Sequence, residues 1–568
     1  MINYRLLSRI KQKIVQQCKI LWVYLRCKHK GTITPLEEVN VCICCVKERD
    51  FIIKIFGQEV DYKTINWHKD YKSGYIYPQK RFDKIKFPRI FNKGIEIKFP
   101  WELSRFQFGV DLALCYHRSK DEKYYTIFKK LLLNWIDNNP FLTGVNWICT
   151  MDVAIRATNW IISANMFGEI FWRDKGFVKV ISKSLIDHAY YIETFPEIRK
   201  VGKNNNHLIA DYSGLFVLAL SLSEHPYSDK WLQMAVNGLE KCMQEQVLED
   251  GTNFENSIPY HRLVVELLAV PLILKASCFS DLYKQRLFKM FEFVASYIDH
   301  KGNAPQIGDN DSGIYIKLSK KEEHNHSYLL SLGESIFGYN FGCKHSTGYT
   351  PIFRELEHKI AYTDTRDCHK SISFKESGFY FLKNESITVS VFCPTADEGH
   401  RHFDTGSFTL SCKGNPIIVD PGTGCYTSDL ETRKVLRDYP SHNLYYLKRE
   451  NKNNVGYFGT KVDTFVQVNE FTVDSLHYST ILDNGIKVER HFRLFSNMLV
   501  IEDTITGNND NLFCALHFYN ATDVIIEGAI QISEEQYQYS PMYSILENRK
   551  KIIILPSEKV TTKIICKY

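Results

Sequence analysis

Leu208-Ile-Ala-Asp-Tyr212-Ser-Gly-Leu215-Phe-Val-Leu-Ala219-Leu-Ser-Leu222 places Leu208, Tyr212, Leu215, Ala219 and Leu222 at alternating steps of four and three, one continuous stripe along an α-helix. The same spacing holds from about residue 100 to 345. Ser119-Lys-Asp-Glu122 reads as a capping box, ahead of a helix with Tyr125, Phe128, Leu132 and Trp135 on one face and a stop at Asn139-Pro140. Successive helix pairs of this kind predict an array of α-hairpins, open or curled into a toroid. After about residue 370 the period becomes two, as in Ile387-Thr-Val389-Ser-Val391 and Phe408-Thr-Leu410-Ser-Cys412, with Lys413-Gly414-Asn415 as a turn. Many short strands predict a large antiparallel β-sandwich. The expected fold class is α+β multidomain: a basic extension over 1–50, a helical toroid over 51–345, a linker over 346–369 and a sandwich over 370–568.

A chain of 568 residues exceeds what one hydrophobic core usually supports, which agrees with two large domains. The 71 Lys and Arg against 65 Asp and Glu leave a net charge of +6, which singles out no class of partner, and nucleic acid is not expected. Sixteen Cys lie without a repeating interval, so neither a disulfide scaffold nor a zinc ribbon is indicated. The single Cys-x-x-Cys step, within Cys42-Ile-Cys44-Cys45, reads as a structural cluster on a short apolar strand. Met1 to Lys30 is basic throughout and reads as an amphipathic helix, either a solvated extension, the commoner outcome, or one in peripheral contact with an anionic membrane. Its apolar stretch Ile20–Leu25 is shorter than a usual signal-peptide core, and no run is long enough to span a bilayer. The expected location is therefore cytoplasmic or membrane-peripheral, with the periplasm as the alternative; the oligomeric state stays open.

Several short motifs stand in a fixed order. Trp101-Glu-Leu-Ser-Arg-Phe-Gln107, Asn139-Pro140, Gly144-Val-Asn-Trp147, Met151-Asp-Val-Ala-Ile-Arg156 and Asn159-Trp160 come first. Asn204-Asn-Asn-His207, Glu249-Asp-Gly251, Glu255, Tyr260 and Gly308-Asp-Asn-Asp-Ser-Gly313 follow. The β half adds His400-Arg-His-Phe-Asp-Thr-Gly406, Val419-Asp-Pro-Gly422, Tyr426 and Ser441-His-Asn443. Over about residues 60 to 510 this ordered set resembles the heparinase II/III-like polysaccharide lyases. The resemblance implies an (α/α) toroid followed by a β-sandwich, an active site in the cleft between them, and β-elimination on an acidic polysaccharide.

Elimination at a uronic acid removes the proton at C5, which requires the neighbouring carboxylate to be neutralised by preorganised hydrogen-bond donors. By resemblance, Asn206 and His207 take that role; the residues alone allow the plainer reading that Asn caps the following helix. Tyr260 and His400 match the acid and base positions, Tyr260 protonating O4 and its phenolate also able to serve as base, with Tyr426 as a further acid/base. His402, Asp420 and His442 match a metal position, and two imidazoles with one carboxylate suit a structural divalent ion, zinc above others. Arg262 and Arg437 are candidates for clamping substrate carboxylates or sulfates, and Glu255 for substrate contact. Arg156 reads equally well as an internal salt bridge. Heparan-type glycosaminoglycan, alginate and bacterial surface polysaccharides all carry the required uronate. Two alternatives remain at this point: a glycoside hydrolase using Glu249, Asp250 and Glu255, and a non-catalytic glycan-binding or assembly protein on the same fold.

Overall fold

The computed structural model describes residues 4–26, 31–39, 51–85, 93–319, 323–342, 352–353, 370–394, 399–448 and 465–566 except 508, 510 and 521, with side chains from residue 11 onward. Cys42, Cys44, Cys45 and nearly all of the expected linker lie outside these residues.

The helices are α1 (Tyr4–Arg26), α2 (Lys98–Ser104), α3 (Phe108–Ser119), α4 (Lys123–Asn138), α5 (Thr150–Phe167), α6 (Glu169–Arg173), α7 (Lys175–Thr194), α8 (Asn206–Ser221), α9 (Ser228–Gln246), α10 (Ile258–Leu274), α11 (Asp281–Tyr297) and α12 (Ser327–Phe337). Helices α3, α5, α8 and α10 pack on one another in succession, while α4, α7, α9 and α11 back them, the two-row arrangement of an (α/α) toroid. The inner row explains its own composition. Every residue of α10 is buried, and Leu263–Leu274 is apolar but for Glu266, whose carboxylate accepts from the Tyr315 N–H and the Tyr328 hydroxyl. Outer helices such as α9 bury only one side.

The expected capping box does not form. Ser119 closes α3, its hydroxyl donating to the Cys115 carbonyl, and Glu122 precedes α4 without a side-chain cap. Ser119 Oγ accepts from the Asp121 N–H at 3.2 Å, and Asp121 rather than Ser119 accepts from the N–H of Lys123, the first residue of α4.

Beyond the helices stand two antiparallel sheets. One runs in chain order through β3 (Ile372–Phe374), β4 (Phe379–Lys383), β5 (Ile387–Phe392), β6 (Ser407–Cys412) and β7 (Asn415–Ile418), after a small hairpin of β1 (Ile53–Ile55) and β2 (Gln58–Val60) in the N-terminal part. The other comprises β8 (Tyr445–Leu447), β9 (Val466–Phe471), β10 (Ser475–Ile481), β11 (Lys487–Leu494), β12 (Met498–Thr506), β13 (Leu512–His517), β14 (Asp523–Tyr539) and β15 (Glu547–Ile565). Leu382, Val389, Val391 and Leu410 from the first sheet share a core with Leu476, Phe492 and Leu499 from the second, which makes the pair a sandwich. The first sheet is also buried on its other face, because Phe293 of α11 meets Phe374 and Phe379 at ring-centroid distances of 4.8 and 5.2 Å. Thr388 and Ser390, which alternation alone puts in solvent, are therefore buried against the helical domain.

Helix α1 packs on α7 through Ile20 and Val23, and Arg26 lies 4.0 Å from the Tyr227 ring centroid. Ile14, Leu21 and Leu25 point away from this contact and are exposed. Among the described residues no helix is long and apolar enough to cross a membrane.

Candidate active site

A cavity of about 810 Å³ opens between the helical domain and the sandwich. Asn206, His207, Glu255, Tyr260, His400 and Tyr426 all line it, residues brought together from the start of α8, the turn before α10, the first turn of α10 and two loops of the sandwich.

Asn206 is the first residue of α8, and the cap position belongs to Asn205, whose side chain makes no cap hydrogen bond. Asn206 uses its own amide elsewhere: Nδ2 donates to Glu255 Oε1 and Oε2 at 3.1 and 2.8 Å, and its backbone N–H donates to Oε1 at 2.6 Å. Glu255 therefore ends the helix and fixes the amide at once. This sets the polarity of the side chain, since Nδ2 is committed and Oδ1, buried and without a protein partner, is what Asn206 has left to offer. Glu255 lines the cavity with its carboxylate engaged by Asn206 and by His400.

His207, on the adjacent position, is half-exposed and bonds through Nδ1 to Glu197 Oε2 at 2.8 Å. Burial lowers its pKa, but the Glu197 charge and hydrogen bond, helped by Asp152 and Glu255, outweigh that and raise it above the ordinary imidazole value. His207 thus favours the imidazolium, with Glu197 orienting the ring.

Ser257 caps α10, accepting from the Tyr260 N–H at 3.2 Å, with Pro259 in the first turn. That cap holds Tyr260 at the cleft wall. Its hydroxyl meets the Tyr426 hydroxyl at 2.8 Å, and its ring stacks on the His400 imidazole with centroids 3.8 Å apart. Burial first, then the Asp311 charge, pushes Tyr260 well above the ordinary phenol value, and burial with Asp309 and Asp311 does the same to Tyr426. Both therefore rest as neutral phenols.

His400 reaches this place because Gly399, at φ +85°, lets the loop lie on the Glu255 backbone; a Cβ there would sit 2.3 Å from the Glu255 Cα. One ring nitrogen, Nδ1, faces Asp309 Oδ2 at 2.9 Å and the other, Nε2, faces Glu255 Oε2 at 3.2 Å. Asp309 is the hub behind the site. Burial alone would raise its pKa, but Arg433 at 2.9 Å and hydrogen bonds from His400 and His402 hold it well below the carboxylate range.

The expected metal residues do converge: one ligand atom each from His402, Asp420 and His442 lie within 4.8 Å of one another, and all three side chains are buried. His402 Nε2 bonds to Asp309 Oδ1 at 2.9 Å, while its Nδ1 is buried without a protein partner. A carboxylate on one imidazole nitrogen with the other left open is the usual arrangement around a bound cation. Burial also pushes His402 down to about 4, keeping it neutral and able to ligate. Both oxygens of neighbouring Asp404 are buried and unpartnered, a further sign of room for positive charge. The donor set fits a divalent ion.

The two expected clamps lie elsewhere. Arg262 is buried in the toroid wall, donating to the carbonyls of Glu323 and Gly313 at 2.8 and 2.7 Å. Arg437 is also buried, behind the His400 loop, with Nη2 donating to the Arg401 carbonyl at 3.4 Å. Neither lines the cleft. Arg156 is internal, donating to His188 Nε2 at 3.0 Å and to the Asn146 carbonyl at 3.2 Å. Of the three carboxylates considered for hydrolysis only Glu255 faces the cavity; Glu249 and Asp250 sit in a turn bonded to Glu376. Sequence reading missed Glu197, Asp309, Arg433 and the exposed Arg199 on the cleft rim.

The family models named Heparinase II/III N-terminus and Heparinase II/III-like, C-terminal match residues 16–326 and 367–564. The chain belongs to the heparinase II/III family. A curated relative from Pedobacter heparinus, named heparin-sulfate lyase, is 25% identical over 373 residues, covering 62% of this chain and 52% of that protein. One of the same name from Bacteroides thetaiotaomicron is 23% identical over 484 residues, covering 79% and 66%. The chain thus matches about half to two thirds of the length of these relatives. A solved structure titled heparinase III superposes with a TM-score of 0.64 at 17% identity, covering 90% of this chain and 80% of that one, and supports the fold.

Proposed function

We propose that this heparinase II/III family protein is a polysaccharide lyase that cleaves a uronate-containing acidic chain by β-elimination. The observation that carries the reading is the convergence of Asn206, His207, Tyr260, His400 and Tyr426 on one cavity wide enough for sugar units. The His207 imidazolium donates to one oxygen of the substrate carboxyl, and the other oxygen, carrying a proton taken up from solvent on binding, donates its O–H to Asn206 Oδ1, so charge can move from C5 into that group. With the Nδ1 proton on Asp309, His400 takes the C5 proton at Nε2, where Glu255 steadies the cation formed. The C5–H electrons become the C4–C5 double bond, the C4–O4 bond breaks, and Tyr260 gives its phenolic proton to O4 with Tyr426 as its hydrogen-bond partner. Arg199 on the rim attracts anionic groups of the chain. Incubating the protein with a panel of uronate polysaccharides tests this: a 4,5-unsaturated product raises ultraviolet absorbance. New reducing ends without that absorbance would indicate hydrolysis instead, and neither signal across the panel would favour a binding role.

The same reading places a structural zinc ion on His402, Asp420 and His442. Such an ion would tie the His400 loop to the strands behind it while taking no part in proton transfer. Metal analysis of protein purified without chelators, with melting curves before and after chelation, tests this; a metal-free preparation whose melting is unmoved by chelation refutes it.

Helix α1 supports a peripheral membrane contact. Ile14, Cys18, Leu21 and Leu25 recur at helical spacing on the face opposite Ile20 and Val23 and are exposed, and no Asp or Glu occurs before Glu37 while eight Lys and Arg do. An anionic lipid surface matches both the apolar stripe and the charge.

A further inference from the structure

One corner of the cleft holds a group that the elimination does not use. Cys149 precedes α5, and its Sγ lies 3.8 Å from Glu197 Oε2 and 3.9 Å from His207 Nδ1, with those two 2.8 Å apart. A zinc ion with bonds of roughly 2.3 Å to sulfur and 2.0–2.1 Å to nitrogen or oxygen sets tetrahedral ligand edges of roughly 3.5 Å to sulfur and 3.3 Å between nitrogen and oxygen. The three atoms already approximate one face of that tetrahedron. Glu197 and His207 are partly exposed to the cavity, which leaves the fourth position to solvent or substrate.

We propose that Cys149, Glu197 and His207 form a cation site on the cleft wall for a thiophilic divalent ion of the zinc class, distinct from the sulfur-free site in the sandwich.

The surroundings hold one ligand in place. Asp211 accepts from the Glu197 N–H at 2.6 Å. A thiol ligates as the thiolate and an imidazolium only after losing its proton, so loading Cys149 and His207 releases two protons and strengthens as pH rises. The ligand types also choose the ion: a thiolate with an imidazole discriminates against magnesium and calcium. Where the lyase reading holds, an ion here occupies the nitrogen through which Glu197 orients His207, and so competes with the arrangement that neutralises the substrate carboxylate.

The test needs no turnover, so its failure is separable from failure of the lyase reading. Chelator-treated full-length protein is alkylated with iodoacetamide with and without saturating zinc, and Cys149 is followed by peptide mass spectrometry. Zinc is expected to slow alkylation of Cys149 tenfold or more, and Glu197→Gln to remove most of that protection. Titration with cobalt is expected to give a sulfur-to-metal charge-transfer band that zinc bleaches and Cys149→Ser lacks; cobalt in the sandwich site has no sulfur ligand to produce it. Equal alkylation of Cys149 with and without zinc overturns the proposal. Protection that persists undiminished in Glu197→Gln overturns the three-ligand site, as does a cobalt band unchanged in Cys149→Ser.

Discussion

Tyr260→Phe separates a proton donor from a packing residue. The change removes one hydroxyl and keeps the ring that stacks 3.8 Å from His400. The interaction lost is the 2.8 Å contact with the Tyr426 hydroxyl, a neutral pair whose removal costs about 0.5–1.5 kcal/mol of stability. For a donor in the transition state the loss is larger: about two to four powers of ten in kcat, or roughly 3–5 kcal/mol of barrier. The gap between these two figures decides the case. Initial rates from ultraviolet absorbance on a cleaved polysaccharide, beside a thermal melt of the same preparation, measure both. The melt should move by a few degrees at most while kcat collapses and KM changes little. A folded Tyr260→Phe protein with near-wild-type kcat would refute the assignment, and Tyr426→Phe, the other member of the phenol pair, would then be the variant to fail.

Glu197→Gln removes the charge that holds His207 as imidazolium. Because the folded-state pKa of His207 is raised, the active form persists at pH above the ordinary imidazole value and is lost only as pH climbs through the raised one; the alkaline limb of kcat/KM should move to lower pH in the variant, and an unmoved limb would remove His207 from that role. Asp309→Asn breaks a buried ion pair with Arg433 and loosens both His400 and His402, so it should cost about 3–5 kcal/mol in denaturant unfolding and weaken metal retention by roughly 10–100-fold; a variant with unchanged unfolding and metal content would show that the hub is dispensable. Replacing Ile14, Leu21 and Leu25 together with Ser should abolish sedimentation with anionic vesicles while leaving the melting temperature within a few degrees, because these side chains face away from α7; sedimentation equal to wild type would exclude the stripe as the contact.

Much of the fold was legible because it rests on local periodicity. The stripe Leu208–Leu222 emerges as α8 and the alternation Ile387–Val391 as β5. What local pattern does not carry is which partner a side chain meets. Ser119 satisfies the cap motif on paper, yet its oxygen accepts from the Asp121 N–H, two residues short of α4. Arg262 reads as a clamp because of its bidentate guanidinium, yet two residues on from Tyr260 it points about 200° round the helix and faces the wall rather than the cleft. Asp309 stood inside a quoted motif, but its function lies in His400, His402 and Arg433, which are 91, 93 and 124 residues away. Glu197 carried no signal beyond being a carboxylate ahead of a loop, and only the folded chain sets it against His207.

An acidic substrate entering this cavity meets a wall with four carboxylates, Asp152, Glu197, Glu255 and Asp311, which at first sight should repel it. Each is spent on a cation or donor that also lines the wall. Asp311 pairs with Lys98 at 2.7 Å, Asp152 with Arg105 at 2.6 Å, Glu197 with His207, and Glu255 with the Asn206 amide and His400. Buried carboxylates paired in this way cost little repulsion at the cleft and hold their partners in single orientations, which a flexible unpaired lysine or histidine would not keep. The acidic residues therefore act as supports: they decide that His207 arrives protonated, that Asn206 presents an acceptor and that the His400 ring is held in one orientation. Electrostatic attraction of the polymer falls instead to exposed groups on the rim such as Arg199, where screening by salt is strong and specificity is low. Turnover at saturating substrate should accordingly depend on the buried pairs and capture of the chain on the rim, so raising ionic strength should raise KM well before it lowers kcat.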